Sequence, residues 1–241
     1  MIWTTKLDDL SGGKVLYANG CSFTIGDELA NPKSQAFPTL LGNNINCDFV
    51  VNQARCGASN HEILRKTMDF LLEYIHTKEF DVKDLTVVIG WSLVSRHECY
   101  DEGWKGITPN SVSSAEDLPY YYYGLLQSNE QDMLRFLWQV NVLQSFLKKY
   151  NINYFFFKID AGQHIMWNQT GQEIIDGYDL DKLSTMNYLK EVDINRFPSI
   201  ENSELTFREF ALKYGALKPD YHPDEKSHEL FAEYIEENLY E

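Results

Sequence analysis

The sequence predicts an α/β fold, a three-layer doubly wound parallel sheet with loop insertions. Short β-rich runs alternate with helical patterns along the chain, which is how a parallel sheet covered by helices is written. The last of those runs, Asn153-Tyr154-Phe155-Phe156-Phe157-Lys158-Ile159, is almost continuously apolar, as a strand covered on both faces must be. Length agrees. A chain of 241 residues can fill one large core and does not require two, so residues 1–241 read as a single domain with insertions at about 101–131 and 160–204.

The elements follow in order. Residues 14–19 form the first β-rich run and pass into Gly20-Cys21-Ser22-Phe23-Thr24-Ile25-Gly26-Asp27, a turn into a helix. Residues 47–52 form the second and lead to Gln53-Ala54-Arg55-Cys56-Gly57-Ala58-Ser59. Ser59-Asn60-His61-Glu62 then matches a capping box, in which a serine and a glutamate satisfy each other's free backbone N–H groups. Behind it Leu64, Met68, Leu71, Leu72 and Ile75 share one helical face. Residues 85–90 form the third run. A second stripe, Met133, Phe136, Leu137, Val140, Leu143 and Leu147, precedes Tyr150 and the fourth run. A final helix starts near Pro223, where proline suits a first turn, and buries Leu230, Phe231, Tyr234 and Ile235. The two insertions, with Tyr120, Tyr121, Tyr122 and Tyr123 in one and Trp167, Tyr178 and Tyr188 in the other, follow strand ends, where α/β proteins place ligand loops. Surface elaborations with aromatics tucked beneath them are the simpler alternative.

Charge narrows the function. With 36 acidic and 21 basic residues the net charge is -15, which opposes a phosphate backbone and argues against nucleic-acid binding. Residues 1–13 carry Asp8 and Asp9 without an apolar core, unlike a secretory signal, and no apolar run approaches the about 20 residues of a membrane helix. Four cysteines (Cys21, Cys47, Cys56, Cys99) without a Cys-x-x-Cys pair read as reduced, mostly buried thiols of a cytoplasmic protein. Cys21 and Cys56 fall beside candidate site residues, where a thiol pair or metal site is the sharper reading and inert cysteine the blander one. His61, His76, His97 and His164 show no metal-ligand spacing.

Four short segments carry chemistry. A glycine and then Ser22 at the end of the first strand expose a hydroxyl above the sheet, with the serine N–H at a helix N-terminus, where it can stabilise an oxyanion. Gly57, just before a helix cap, can bring a bare N–H up to a substrate. Ser92 is the polar side chain at the end of the third strand. Asp220-Tyr221-His222-Pro223 offers an acid and a base before the last helix, with His228 inside that helix. Arg96, after the third strand, is either an anion ligand or an exposed arginine.

In this order and spacing the four segments resemble the SGNH hydrolases, also called the GDSL esterase/lipase superfamily, across nearly the whole chain. The resemblance places Ser22 on the nucleophile of the Gly-Asp-Ser-Leu block and Gly57 on the oxyanion glycine. Ser92 falls on the asparagine of Gly-x-Asn-Asp, and His222-Pro223 on the end of Asp-x-x-His-Pro. It implies an esterase that needs no metal or organic cofactor, with Ser22, His222 and Asp220 catalytic and Ser22, Gly57 and Ser92 lining the oxyanion hole. The implied substrate is a small-molecule or carbohydrate ester, such as an O-acyl group on a sugar. The run Asn19-Gly20-Cys21-Ser22-Phe23-Thr24 is also similar to SGNH-like proteins of tailed bacteriophages, which would put the protein in a virion. The sequence departs from the family at Cys21, at Ser92 and at Pro219, which holds the position of the family's acid. These departures suit a second reading, a catalytically impaired binding or structural module.

Overall fold

In the computed structural model the described residues are 2–10, 12–77, 81–100, 102–108, 119, 122–123, 127–161, 163–167, 173–177 and 187–239. In chain order they form β1 (Ile2–Thr4), β2 (Val15–Asn19), α1 (Ser22–Ile25), α2 (Pro32–Gln35), α3 (Phe37–Asn44), β3 (Phe49–Asn52), α4 (Asn60–His76), β4 (Leu85–Trp91), β5 (His97–Tyr100), β6 (Trp104–Ile107), α5 (Asn129–Lys149), β7 (Asn153–Lys158), β8 (Gln163–Trp167), β9 (Glu173–Gly177), α6 (Phe207–Tyr214) and α7 (Glu225–Asn238). Short 3₁₀ turns connect several of them.

The sheet has the order β1-β3-β2-β4-β7, and every neighbouring pair is parallel. Alternation along β7 shows the three layers directly. Phe155 packs on Tyr234 of α7, and Phe157 on Phe37, Phe207 and Phe231 of α3, α6 and α7. Between them Phe156 turns the other way, to Trp91, which itself packs on Phe136 of α5. On β2, Tyr17 and Asn19 likewise face α4, bonding Thr67 and Ile63. The run of three phenylalanines is therefore apolar throughout because helices cover both faces. Removing any one of these buried rings would cost about 3–5 kcal/mol.

The stripe expected in α5 is kept, whereas in α4 Leu64 and Leu71 are buried together with Ile63, Phe70 and Tyr74, and Leu72 is exposed. In α5 Met133, Phe136, Leu137, Val140, Leu143 and Leu147 are all buried, and Ser128 caps the helix through Gln131 N–H. The capping box of α4 is half made. Ser59 Oγ accepts from Glu62 N–H at 3.1 Å, but the Glu62 carboxylate turns to Arg55 and to Lys66, the latter at 2.9 Å, rather than back to Ser59. Burial raises its pKa, and these two cations outweigh that and hold it down to about 2. The last helix begins at Glu225 rather than at the proline. Asp224 caps it through Ser227 N–H at 2.8 Å, and Pro223 lies just ahead.

The segments read as insertions contain regular structure. β5 and β6 make one antiparallel hairpin and β8 and β9 another, while α5 begins inside the first segment. Tyr120, Tyr121 and Tyr178 lie outside the described residues. Tyr123 does tuck underneath, its hydroxyl donating to the carbonyls of Ser95 and Ile107. No helix among the described residues is long and apolar enough to cross a membrane.

Candidate functional site

The chain crosses from one side of β2 to the other on its way from β3 to β4, so the ends of β2 and β4 form the crevice where open α/β sheets bind ligands. Glycine makes their close approach possible. A methyl on Gly20 would fall 2.1 Å from Thr24 Oγ1 and 2.9 Å from the Gly90 carbonyl, and one on Gly90 would fall 2.5 Å from Thr24 Oγ1 and 2.6 Å from Phe157. Asn19 locks the turn that follows. Its Oδ1 accepts from Gly20 N–H at 2.8 Å, while its amide donates to the Ile63 carbonyl in α4. Cys21 is the N-cap of α1 and Ser22 its first residue, so the serine hydroxyl is not used as a cap. The backbone N–H of a first-turn residue also has no intrahelical acceptor.

The β3–α4 loop is tied to this turn. Arg55 N–H donates to the Gly20 carbonyl at 3.2 Å, and the Cys56 thiol donates to Asp27 Oδ2 at 3.2 Å. Gly57 follows as the third residue of a turn closed by Ala58 N–H on the Arg55 carbonyl, with φ +72°, a conformation in which other residues are strained. A side chain there would meet nothing, so the turn requires glycine for its backbone angle and not for close packing.

His222 sits in a tight loop whose stems pair at Leu217 and Pro223. Tyr221 N–H donates to the Lys218 carbonyl, which leaves Pro219 and Asp220 at the two corners of a turn, both exposed. Tyr221 then takes φ 67°, and this left-handed step turns His222 inward. Its Nδ1 donates to Glu28 Oε2 at 3.1 Å, and its ring lies 5.2 Å from that of Phe23, the neighbour of Ser22. Asp220 was the sequence's choice for this carboxylate, and that choice is corrected: the acid on Nδ1 is Glu28, while Asp220 lies exposed at the corner of the turn, on the rim of the same cleft. Glu28 also has a left-handed backbone, φ 66°, one turn after α1.

Ser92 needs a second correction. It is fully buried and does not line the cleft shared by Ser22 and His222. Asn60 clamps its backbone on both sides, Oδ1 accepting from Ser92 N–H at 2.7 Å and Nδ2 donating to the Ser92 carbonyl at 2.9 Å. Its hydroxyl accepts from Arg96 Nη1 at 3.0 Å. At this strand end the cleft holds Arg96 and Leu93 instead.

The cleft, of about 340 Å³, is lined by Ser22, Phe23, Arg96, Arg208, His222 and Tyr221, with Asp160 and Asp220 among its acids. Ser22 is 8% exposed, and the Arg208 guanidinium pairs with Asp160 at 3.0 Å. A larger cavity of about 460 Å³ lies beside Gln53, Arg55 and Lys66, away from Ser22 and His222, and both its cations are paired with Glu62.

Other candidates resolve as structure. His228 is wholly buried. Its Nδ1 accepts from Phe37 N–H at 3.0 Å, and burial drives its pKa down to about 3, so it is a neutral packing residue. Cys21 and Cys47 are buried as expected, but Cys56 is exposed and Cys99 half-buried. Partial desolvation of the Cys56 thiol and its hydrogen bond to Asp27 still push it up to about 11, which keeps it from acting as a thiolate at neutral pH. Among the described residues no group of three His, Cys, Asp or Glu side chains could hold a metal ion. Sequence reasoning missed Glu28, Asp160, Arg208 and Lys158. Burial lowers the ammonium of Lys158, the last residue of β7, to about 8. For Glu28 the one available signal was its position just past the turn that carries Ser22.

The model of a family of unknown function (DUF6071) matches residues 27–240, a span that includes Glu28 and His222 and starts just beyond Ser22. No curated protein matches the sequence. Among solved structures the chain is similar to a protein described as a lipolytic member of the G-D-S-L family, from Desulfitobacterium hafniense, at 13% identity and TM-score 0.46 over 94% of this chain and all of the other. It is also similar to the esterase EstA from Pseudoalteromonas sp., at 13% identity and TM-score 0.45 over 94% of this chain and 96% of the other. An acetyl xylan esterase gives 13% identity and TM-score 0.48 over 92% and 97%.

Proposed function

The chain belongs to that family of unknown function, DUF6071, and we propose that it is an SGNH-type serine hydrolase that cleaves an ester, with Ser22, His222 and Glu28 as its working residues. The observation that carries this reading is the seating of His222. Its imidazole lies between Glu28 on one side and Phe23 on another, in the same cleft as Ser22. With Nδ1–H held by a carboxylate, Nε2 is left as the basic nitrogen, which is the tautomer a general base requires. Two left-handed non-glycine residues, Glu28 and Tyr221, flank this contact, and such strain collects where geometry serves a function.

The chemistry then runs as acyl transfer. Ser22 Oγ attacks the ester carbonyl while His222 Nε2 takes its proton, and the N–H groups of Ser22 and Gly57 receive the oxyanion. His222 returns the proton to the leaving alcohol. Water then hydrolyses the acyl-serine with His222 again as base. Glu28 orients the imidazole and stabilises its charged form. The substrate is a small-molecule or carbohydrate ester, with Phe23 and the exposed Tyr221 offering apolar faces at the cleft.

Labelling with a fluorophosphonate tests the reading. Wild type should be modified at Ser22, Ser22→Ala should not, and Glu28→Gln should react far more slowly. Absence of labelling at Ser22 in the folded protein would overturn it. One observation favours the second reading, a binding module. The hydroxyl of Ser92 is buried outside the cleft, so this site lacks the side-chain donor of the SGNH oxyanion hole.

A further inference from the structure

We infer that the ligand of this cleft carries an anionic group, a carboxylate by preference, and that Arg96 is its receptor. The inference names a substrate class and rests on the esterase reading of the same cleft. Four of the six arginines in this acidic chain hold a carboxylate, and a fifth, Arg196, bonds the Leu239 carbonyl away from the cleft. Arg55 holds Glu62, Arg65 holds Glu98, Arg135 holds Asp132 and Arg208 holds Asp160. Arg96 has no carboxylate partner among the described residues, although the sequence supplies 36 acids against 21 cations. Its hydrogen bond goes to a neutral oxygen, Ser92 Oγ at 3.0 Å.

That bond positions the guanidinium without cancelling its charge. Ser92 is fixed by Asn60 on both sides of its backbone, so one arm of Arg96 is anchored to the rigid end of β4. A guanidinium has five N–H donors, and a carboxylate can take two of them in parallel. Anchoring removes much of the rotamer entropy that a free arginine would lose on binding.

The other charges of the cleft do not claim Arg96. Asp160 is engaged by Arg208, Asp220 stands exposed at the rim, and Glu28 is held by His222. The unsatisfied positive charge therefore shares the 340 Å³ cleft with Ser22 and His222, close enough for one small molecule to meet all three. This also gives the Gly90-Trp91-Ser92 segment a role: its serine anchors the arginine that reads the ligand.

Matched pairs of esters provide the test. On the alcohol side, hydrolysis of 3-acetoxybenzoate is compared with that of 3-acetoxybenzamide. On the acyl side, mono-4-nitrophenyl succinate is compared with 4-nitrophenyl butyrate. Wild type should prefer the anionic member of one pair by about tenfold or more in kcat/KM, and the pair that responds identifies which half of the substrate carries the charge. Arg96→Gln should bring that ratio to about one, with Arg96→Lys between, because lysine keeps the charge and loses the fork. A wild-type ratio near one in both pairs, or a preference that survives Arg96→Gln, would overturn the inference. Calorimetry on Ser22→Ala with 3-hydroxybenzoate, 3-hydroxybenzamide, succinate and succinamide separates this outcome from failure of the esterase reading. A carboxylate bound at least tenfold tighter than its amide, with the difference lost when Arg96→Gln is added, supports Arg96 even without turnover. Equal binding of acid and amide in both pairs overturns it.

Discussion

Two neighbouring strands of this sheet run out in the same pattern, Gly20-Cys21-Ser22 just after β2 and Gly90-Trp91-Ser92 across the end of β4, and their serines meet opposite fates. The first chain turns at once into α1 and leaves its hydroxyl lining the cleft. The second is seized by Asn60 through both backbone groups, and its hydroxyl is buried under Arg96. The two glycines do the same job in both places, letting the strand ends close on Thr24. A Gly-x-Ser at a strand end thus marks a place where backbones pack tightly. Whether its serine faces the cleft is decided by what grips the residue next.

The sharpest way to break this comparison is to remove each serine in turn. Ser22→Ala should lower turnover of a short-chain aryl ester by about 10³-fold or more, because nucleophile and base act as a unit. A smaller loss, measured with purified folded protein, would show that hydrolysis does not depend on this strand end. Next in size is the carboxylate behind the base. Glu28→Gln should cost about 10²-fold in kcat through the lost tautomer and charge, whereas Asp220→Asn at the turn corner should cost less than about threefold. The reverse ranking would return the role to Asp220.

The grip itself can be tested on the β4 side. Asn60→Ala removes the two buried hydrogen bonds that hold the Ser92 backbone and should destabilise the fold by roughly 2–4 kcal/mol in chemical denaturation. His222 and His228 repeat the contrast between cleft and core. The pKa of His228 falls to about 3 on folding, from an ordinary value near 6.5, so the unfolded chain binds the proton more readily. Stability is therefore complete above about pH 6.5 and is lost as the pH falls through the range down to about 3. At pH 5 the loss should reach roughly 2 kcal/mol, and His228→Gln should flatten the pH 7 to pH 5 difference. The smallest effect is expected at Ser92. Ser92→Ala should cost about 1 kcal/mol of stability and change turnover of a neutral ester by less than about threefold, since its hydroxyl is not in the cleft.

The fold was legible because its signals are local. The apolar run of β7, the stripes of α4 and α5 and the serine cap at Ser59 each declare themselves within a few residues. β1 escaped notice, being three residues long with no period to read, and so did the hairpin of β5 and β6, whose turn lacks an Asn-Gly signal. At the site, order along the chain brought Ser22 and His222 to one cleft but could not choose the acid. Asp220 lies two residues from His222 in sequence but sits exposed at the corner of the turn closed by the Lys218–Tyr221 hydrogen bond, and the contact on Nδ1 goes to another acid. Glu28 lies 194 residues away and reaches it through a left-handed step that glutamate seldom takes. Ser92 was misread for a related reason: the pattern gives the end of a strand, and the clamp comes from Asn60 on another element.

The contact between His222 and Glu28 also sets a clock. During synthesis the serine and its glutamate leave the ribosome together, as an ordinary alcohol beside an ordinary acid. The imidazole follows 194 residues later, roughly 10–40 s at cellular elongation rates. Through that interval Ser22 has no His222 imidazole to share its cleft. On the proposed mechanism, Ser22 would therefore stay unreactive until the segment that carries His222 has been made and has met Glu28.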